Sequence, residues 1–199
     1  QLSDDAKAKV IYNYISDNFN YSYVSFKQSG FVPQKPSKTI KTALGDCKDF
    51  STLFATLAKM ADLKTNLVLI LTSDYGQKNM VLPSTQFNHC IVKVYIDGKP
   101  QFLELTNKYL PYKALPVSLI NATALEIPYN HNVSKTKFDL FTLNGITRDE
   151  AHLNYNLSVK VENDKMEMDV LSEIEGQSVS YYAEVFSEPN KEIVKKYIL

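Results

Sequence analysis

The dipeptide Asp97-Gly98 constrains the fold of this chain more than any other feature, because it separates two runs rich in alternating apolar residues. Asp-Gly in a two-residue connection is the strongest short-range signal for a β-hairpin. It predicts strands over 87–96 and 99–106, in a register that places Ile91 opposite Glu104. Side chains alternate between the two faces of a strand, so this register assigns each residue of the hairpin to one face.

One face of the predicted hairpin is almost wholly apolar, and we expect it to face the core. Its members are Asn88, Cys90, Val92, Val94, Ile96, Leu103 and Leu105. Because free cysteine is usually a buried packing residue, Cys90 is interpreted as inert.

The opposite face is mixed, and it carries His89 and Glu104 as diagonal neighbours across the hairpin. Diagonal partners lie about 7–8 Å apart along the backbone, within reach of long side chains. A carboxylate in this position can hold one imidazole nitrogen and leave the other nitrogen to face a thiol. The alternative interpretation is an ordinary cross-strand His–Glu pair that faces solvent.

The other cysteine, Cys47, is predicted to lie in the first turn of an amphipathic helix that begins near Asp46. Apolar residues from Phe50 to Ala61 recur at helical spacing and form one stripe. The free N–H groups and the positive dipole end at a helix start stabilise a thiolate, and Gly45 lets the backbone approach the helix closely. Taken alone, a cysteine at a helix start is more typical of a buried packing residue than of a nucleophile. Together with the His–Glu pair, Cys47 is predicted to be the nucleophile of a thiol site.

Apolar periodicity and turn residues indicate the rest of the architecture. The predicted regular elements are helices over 4–19 and after 187–190, a doubly buried strand over 66–72, and strands over 154–162 and 165–171 joined by Asn163-Asp164. Turns, loops and irregular structure are predicted over 20–44, 73–86 and 107–135.

The composition argues against several classes of protein. Lys+Arg and Asp+Glu both number 22 among the 199 residues, so the formal net charge is zero and no basic segment indicates a nucleic-acid partner. The three histidines, His89, His131 and His152, lack the spacing of a metal site, and no glycine-rich phosphate loop occurs. We therefore predict neither a metal nor a cofactor. No apolar run approaches the length of a membrane span, and the start at Gln1 is typical of an excised or processed fragment.

Three segments, in this order along the chain, resemble the catalytic motifs of transglutaminase-like domains. Gly45-Asp46-Cys47-Lys48-Asp49 resembles the nucleophile motif. The run Phe-Asn-His-Cys-Ile-Val at 87–92 resembles the histidine strand, and Phe-Leu-Glu-Leu-Thr at 102–106 resembles the strand of the third catalytic residue. Leu110-Pro111-Tyr112 continues a pattern similar to that of bacterial members of the Bacteroidetes type. The resemblance covers about residues 1–130.

The resemblance implies an α+β fold with a papain-like or transglutaminase-like core. In such a core, the helix that carries the cysteine packs on an antiparallel sheet that carries the histidine and the acid. The chain would then divide into a thiol-enzyme domain over 1–135 and a β-rich C-terminal domain over 136–199. Whether this second domain is truncated at residue 199 is left open.

The family's usual triad is Cys, His and Asp, and the resemblance carries it over to Cys47, His89 and Glu104. Glutamate keeps the charge but adds a methylene, so its hydrogen bond to the imidazole needs a different rotamer. The implied oxyanion donors are the backbone N–H of Cys47 and a side chain from the preceding loop. Gln28 and Tyr23 are the candidates for that side chain.

The resemblance implies acyl transfer by a cysteine peptidase or amidase, through a thioester formed from a peptide or protein amide. Hydrolysis is favoured over cross-linking. The alternative is a catalytically weak or inactive binding or assembly module of a larger cell-envelope protein. A periplasmic or extracellular location is favoured, no cofactor is implied, and the oligomeric state is left open.

Overall fold

The computed structural model describes residues 2–23, 30–75, 85–129, 138–144 and 151–198. The helices in these ranges are α1 (Asp4–Asn18), α2 (Pro36–Thr42), α3 (Cys47–Met60), α4 (Val179–Phe186) and α5 (Lys191–Ile198). The strands are β1 (Asn20–Tyr21), β2 (Leu44–Gly45), β3 (Thr65–Leu71), β4 (His89–Ile96), β5 (Lys99–Leu103), β6 (Thr123–Pro128), β7 (Leu140–Thr142), β8 (Leu153–Glu162) and β9 (Lys165–Ile174).

The core is built on a five-stranded antiparallel sheet with the strand order β5-β4-β3-β6-β7. Strand β3 lies at its centre, which confirms the prediction of a strand buried on both faces. Helices α1 and α3 cover one face of the sheet, where Phe50, Leu53 and Phe54 of α3 pack with Val92 and Leu103. The predicted α+β architecture, with the helix of Cys47 on an antiparallel sheet, is confirmed.

Strands β4 and β5 pair in the predicted register, with Ile96 opposite Lys99. The turn residues Asp97 and Gly98 have φ angles of 49° and 77°. Positive φ at both central residues is the requirement of a type I′ turn, whose twist matches that of the flanking strands. Local turn chemistry was therefore sufficient to fix the register of this hairpin.

Both hairpin strands are shorter than predicted. Strand β4 begins at His89 and β5 ends at Leu103, so Glu104 lies one residue beyond the ladder and the predicted strand pairing of Glu104 is wrong. The cause is local, because the Glu104 carboxylate accepts hydrogen bonds from the backbone N–H and the hydroxyl of Thr106. Such side-chain bonds compete with the ladder for the backbone.

The face of the hairpin that looked mixed in sequence is partly buried as well. Ile91 is fully buried there, and Phe102 packs beside it, against a second apolar cluster of Val68, Ile70, Leu119, Ala122, Ala124 and Leu143. Part of this cover comes from β6, which lies in the range predicted as irregular. The prediction of irregular structure was wrong for this segment because Glu126 and Pro128 interrupt the apolar alternation of β6. The strand forms through its pairing with β3 and β7, which is non-local and leaves no signal in the local sequence.

Part of the range 20–44 is regular as well. Helix α2 begins at Pro36, whose fixed φ suits the first turn of a helix. It ends at Thr42 and is followed by the capping residue Ala43, with φ 50°. It was missed because its buried face consists of Thr39, so no apolar stripe marks it. Strands β1 and β2 pair in parallel, with Tyr21 opposite Gly45, and set the direction in which the chain enters α3.

Strands β8 and β9 form the predicted C-terminal hairpin, with Asn163 and Asp164 at φ 50° and 60°. Helix α5 follows Asn190, whose side-chain oxygen accepts the N–H of Glu192 at 3.1 Å. Helix α4, only eight residues long, was not predicted. The predicted continuation of the last helix at Leu199 lies outside the described residues, as do 76–84 of the predicted 73–86 loop.

The division of the chain at 135/136 stays a prediction. Strand β7 follows that point and pairs with β6 of the main sheet, with Leu140 opposite Leu125. Within the ranges that the structure describes, no helix combines the length and apolar character needed to cross a membrane.

Candidate active site

Helix α3 begins with a capping box that fixes the position of Cys47. The Asp46 carboxylate accepts the N–H groups of Lys48 at 2.9 Å and Asp49 at 3.2 Å, and Asp49 in turn accepts the N–H of Asp46 at 3.1 Å. The Lys48 ammonium lies 2.5 Å from the second oxygen of Asp46, and both side chains are buried. This network places Cys47 at the first position of the helix, where the dipole favours an anion.

Gly45, two residues before Cys47, is required by close packing. A Cβ at Gly45 would lie 2.8 Å from the Cβ of Asp49 and 3.0 Å from the ring of Phe50. Asp49 cannot withdraw without breaking the capping box, and Phe50 is buried in the core. The sequence-based expectation that Gly45 permits a close approach of the backbone to α3 is confirmed.

Gly45→Ala should therefore lower the free energy of unfolding by about 1–3 kcal/mol, because the first turn of α3 must shift to accept the methyl group. Urea unfolding followed by circular dichroism measures the change. Leu44→Ala is the control, since Leu44 is 47% exposed and most surface substitutions change stability by less than about 0.5 kcal/mol. Equal stabilities of the two variants would contradict the packing argument.

His89 and Glu104 form a buried pair. The Nε2 atom of His89 lies 2.5 Å from Oε2 of Glu104, whose side chain is 2% exposed. The other oxygen, Oε1, accepts the backbone N–H of Thr106 at 2.8 Å and its hydroxyl at 2.7 Å. The carboxylate is thus held from two sides, and the alternative of a solvent-facing His–Glu pair is wrong.

The charges of this pair stabilise each other. Burial alone would lower the pKa of His89, but the Glu104 carboxylate and a hydrogen bond with Cys47 outweigh it and raise the pKa to about 10. Burial alone would raise the pKa of Glu104, but the His89 imidazolium and the hydrogen bonds from Thr106 hold the pKa below its usual value. At neutral pH the pair is therefore an imidazolium beside a carboxylate.

Cys47 contacts the same imidazole. The Cys47 side chain lies within hydrogen-bonding reach of the His89 ring, and because Glu104 occupies Nε2, the nitrogen left for the sulfur is Nδ1. The Ser51 hydroxyl donates to the backbone carbonyl of Cys90 at 3.1 Å and ties the start of α3 to β4, next to His89. The structure thus brings together the three side chains that the sequence singled out, in the order sulfur, imidazole, carboxylate.

Cys90 lies on the side of β4 that faces α3, as the hairpin register predicted. It is 2% exposed and packs against Cys47. Burial raises the pKa of the Cys90 thiol far above its usual value, so the thiol stays protonated. Both cysteines are free. This environment suits the predicted role of Cys90 as an inert packing residue.

Of the two predicted side-chain donors for an oxyanion, the described residues include only Tyr23. Gln28 lies outside the described residues, and Tyr23 is 85% exposed, with its ring against Tyr21. Tyr21 packs against the buried pair Cys47 and Cys90, and its hydroxyl lies within hydrogen-bonding reach of Cys47. No sequence signal marks Tyr21, because its position depends on the non-local pairing of β1 with β2.

A cavity of about 400 Å³ lies beside Tyr21. Its lining is largely aromatic and polar and includes neither Cys47 nor His89. The lining residues are Ile15, Ser16, Phe19, Asn20, Tyr21, Tyr23, Phe50, Leu105, Thr106, Asn107, Lys108, Tyr109 and Glu184. Among the described residues, no group of three or more His, Cys, Asp or Glu side chains is arranged to hold a metal ion.

Comparison with known families identifies this core. The model of the transglutaminase-like superfamily matches residues 1–104, more than half of the 199-residue chain. The chain belongs to the transglutaminase-like superfamily, and the resemblance seen in the motifs is confirmed. The match includes Cys47 and His89 and ends at Glu104.

Two solved structures are similar to this chain at low sequence identity. A proposed protease from Parabacteroides distasonis is 15% identical with a TM-score of 0.47, over 63% of this chain and 23% of that one. A proposed cysteine protease from Cytophaga hutchinsonii is 16% identical with a TM-score of 0.41, over 84% of this chain and 45% of that one. The chain spans less than half the length of either protein. No curated protein matches the chain.

Proposed function

We propose that this chain is a cysteine peptidase or amidase that transfers acyl groups through a thioester on Cys47. The observation that carries the proposal is the position of His89 between the sulfur of Cys47 and the carboxylate of Glu104. Nucleophile, base and orienting group in a row are what thiol catalysis requires. The superfamily to which the chain belongs supports the same general chemistry.

In the proposed reaction, the Cys47 thiolate attacks the carbonyl carbon of an amide and forms a C–S bond. The C–N bond then breaks, and the His89 imidazolium donates its proton to the leaving amine. Glu104 keeps the imidazole in place and stabilises its charge. Water, deprotonated by the now neutral His89, attacks the thioester and releases a carboxylic acid together with the regenerated thiol. An amine in place of water would give cross-linking, and the resemblance favours hydrolysis.

The second candidate function is a non-catalytic binding or assembly module. The observation in its favour is the burial of Cys47, which is 2% exposed. A substrate carbonyl must reach the sulfur, so catalysis requires access that this conformation does not offer. The two functions differ in one measurable property, the reactivity of the Cys47 thiol.

Reaction of the whole chain with iodoacetamide at about pH 6, followed by intact mass, tests the proposal, since an ordinary thiol is almost fully protonated at that pH. We expect a single adduct, on Cys47, because its side chain lies beside the His89 imidazolium, whereas burial keeps the Cys90 thiol protonated. Cys47→Ala and His89→Ala should lose this labelling, whereas Cys90→Ala should keep it. Labelling of Cys47→Ala at the wild-type rate would exclude Cys47 as the nucleophile, and an unreactive wild type would favour the binding module.

A further inference from the structure

Tyr21 is held rigidly against the start of α3. Its backbone pairs in parallel with Gly45, and the N–H of Ser22 donates to the Gly45 carbonyl at 2.9 Å. The ring makes edge contacts with Phe50 and Tyr23, with centroids 6.2 Å and 4.9 Å apart. Because both backbone and ring are fixed, the hydroxyl has a defined position relative to Cys47.

The Tyr21 hydroxyl is a hydrogen-bond donor at the sulfur. Its side chain packs against the buried pair Cys47 and Cys90, and the Cys47 side chain lies within hydrogen-bonding reach of the hydroxyl. Burial, together with the nearby charge of Cys47, raises the pKa of Tyr21 well above its usual value. The phenol therefore stays protonated and keeps a proton to donate.

A second donor lies at the same place. Asp46 accepts the N–H groups of Lys48 and Asp49, the second and third positions of α3. The N–H of Cys47, at the first position, donates to no acceptor in the described part of the chain. Two protons, one from a backbone amide and one from a phenol, thus adjoin the sulfur of Cys47.

We propose that Tyr21 is a catalytic residue of this site, whose hydroxyl binds the oxyanion of the tetrahedral intermediate together with the N–H of Cys47. The carbonyl carbon becomes bonded to the sulfur, so its oxygen lies within reach of a donor that already contacts the sulfur. As negative charge develops on that oxygen, both donors stabilise it more than they stabilise the neutral carbonyl. This proposal rests on the proposed function, because it requires acyl transfer to Cys47.

Tyr21→Phe tests the proposal, since it removes the hydroxyl and keeps the ring that packs on Phe50. Acylation is measured as the burst of p-nitrophenolate from p-nitrophenyl acetate, in which the C–S bond forms and the C–O bond to the leaving group breaks. We expect the burst rate to fall by about 10²-fold, the usual cost of one oxyanion donor. Alkylation by iodoacetamide is measured in parallel. It displaces iodide at a saturated carbon without forming an oxyanion, and it should change by no more than about threefold.

The control is Tyr14→Phe, which removes a hydroxyl from a tyrosine on α1 that is 42% exposed. It should leave both rates unchanged. If Tyr21→Phe slowed acylation and alkylation equally, Tyr21 would only tune the thiol, and if it slowed neither, the hydroxyl would have no role. Either result would overturn this inference and leave the proposed function standing. A wild type without a burst above that of Cys47→Ala would overturn both.

Discussion

Replacing Glu104 with glutamine should reduce the rate of Cys47 acylation by about 10⁴-fold, the scale seen when a triad acid becomes an amide. The reason lies in the hydrogen bonds of this site. Thr106 presents two donors to one oxygen of Glu104, so the carbonyl oxygen of a glutamine would turn toward Thr106. Its NH₂ group would then face Nε2 of His89, which must become an acceptor. The remaining ring proton would move to Nδ1, the nitrogen that has to accept the thiol proton.

The pH dependence should change in the same variant. In the wild type, the imidazolium is lost as the pH rises through about 10, so acylation that depends on it should fall there. Without the carboxylate, the pKa of His89 loses the main influence that raises it, and the alkaline limb should move to lower pH. The measurement is the rate of the p-nitrophenolate burst between about pH 5 and 11.

Two further variants make this result specific. Glu126→Gln changes another carboxylate of the same sheet. The Glu126 carboxylate lies 2.6 Å from the Lys93 ammonium, and the burst rate of this variant should match that of the wild type. Glu104→Asp restores the residue usual in the family but shortens the reach, so it should lose contact with either His89 or Thr106 and recover only part of the rate. A Glu104→Gln variant as fast as the wild type would remove Glu104 from the proposed triad.

Local sequence information was enough for the parts of the site that depend on one element. The Asp97-Gly98 turn fixed the register of β4 and β5, and the apolar stripe with its acidic cap fixed the start of α3 at Cys47. Chemistry-bearing residues on these two elements could therefore be predicted to meet once the helix packs on the sheet.

The remaining features depend on contacts between distant parts of the chain. The approach of Glu104 to His89 was predicted for the wrong reason, since Glu104 leaves the ladder and is aimed by Thr106. Tyr21 lies at the site because β1 pairs with β2. The second apolar cluster requires β6, which pairs with β3 and β7. None of these pairings leaves a periodic pattern in the sequence.

The buried pair also predicts how the stability of the protein depends on pH. The pKa of His89 is raised, so its stabilising contribution is complete below about pH 6.5 and is lost as the pH rises through about 10. The pKa of Glu104 is lowered, so its contribution is complete above about pH 4.5 and is lost as the pH falls through its lower folded value. The stabilisation from this pair is therefore greatest between about pH 4.5 and 6.5.

His89→Ala should lower the free energy of unfolding by about 3–5 kcal/mol near pH 6, because Glu104 would keep a buried charge without its counter-charge. Below about pH 4.5 the loss should shrink, since protonation of Glu104 removes that charge. Urea unfolding followed by circular dichroism measures both values. Lys93→Ala breaks the more exposed pair with Glu126 and should cost no more than about 1 kcal/mol. If the loss in free energy of unfolding caused by His89→Ala did not shrink at acid pH, packing, and not the buried carboxylate, would determine the stability of this site.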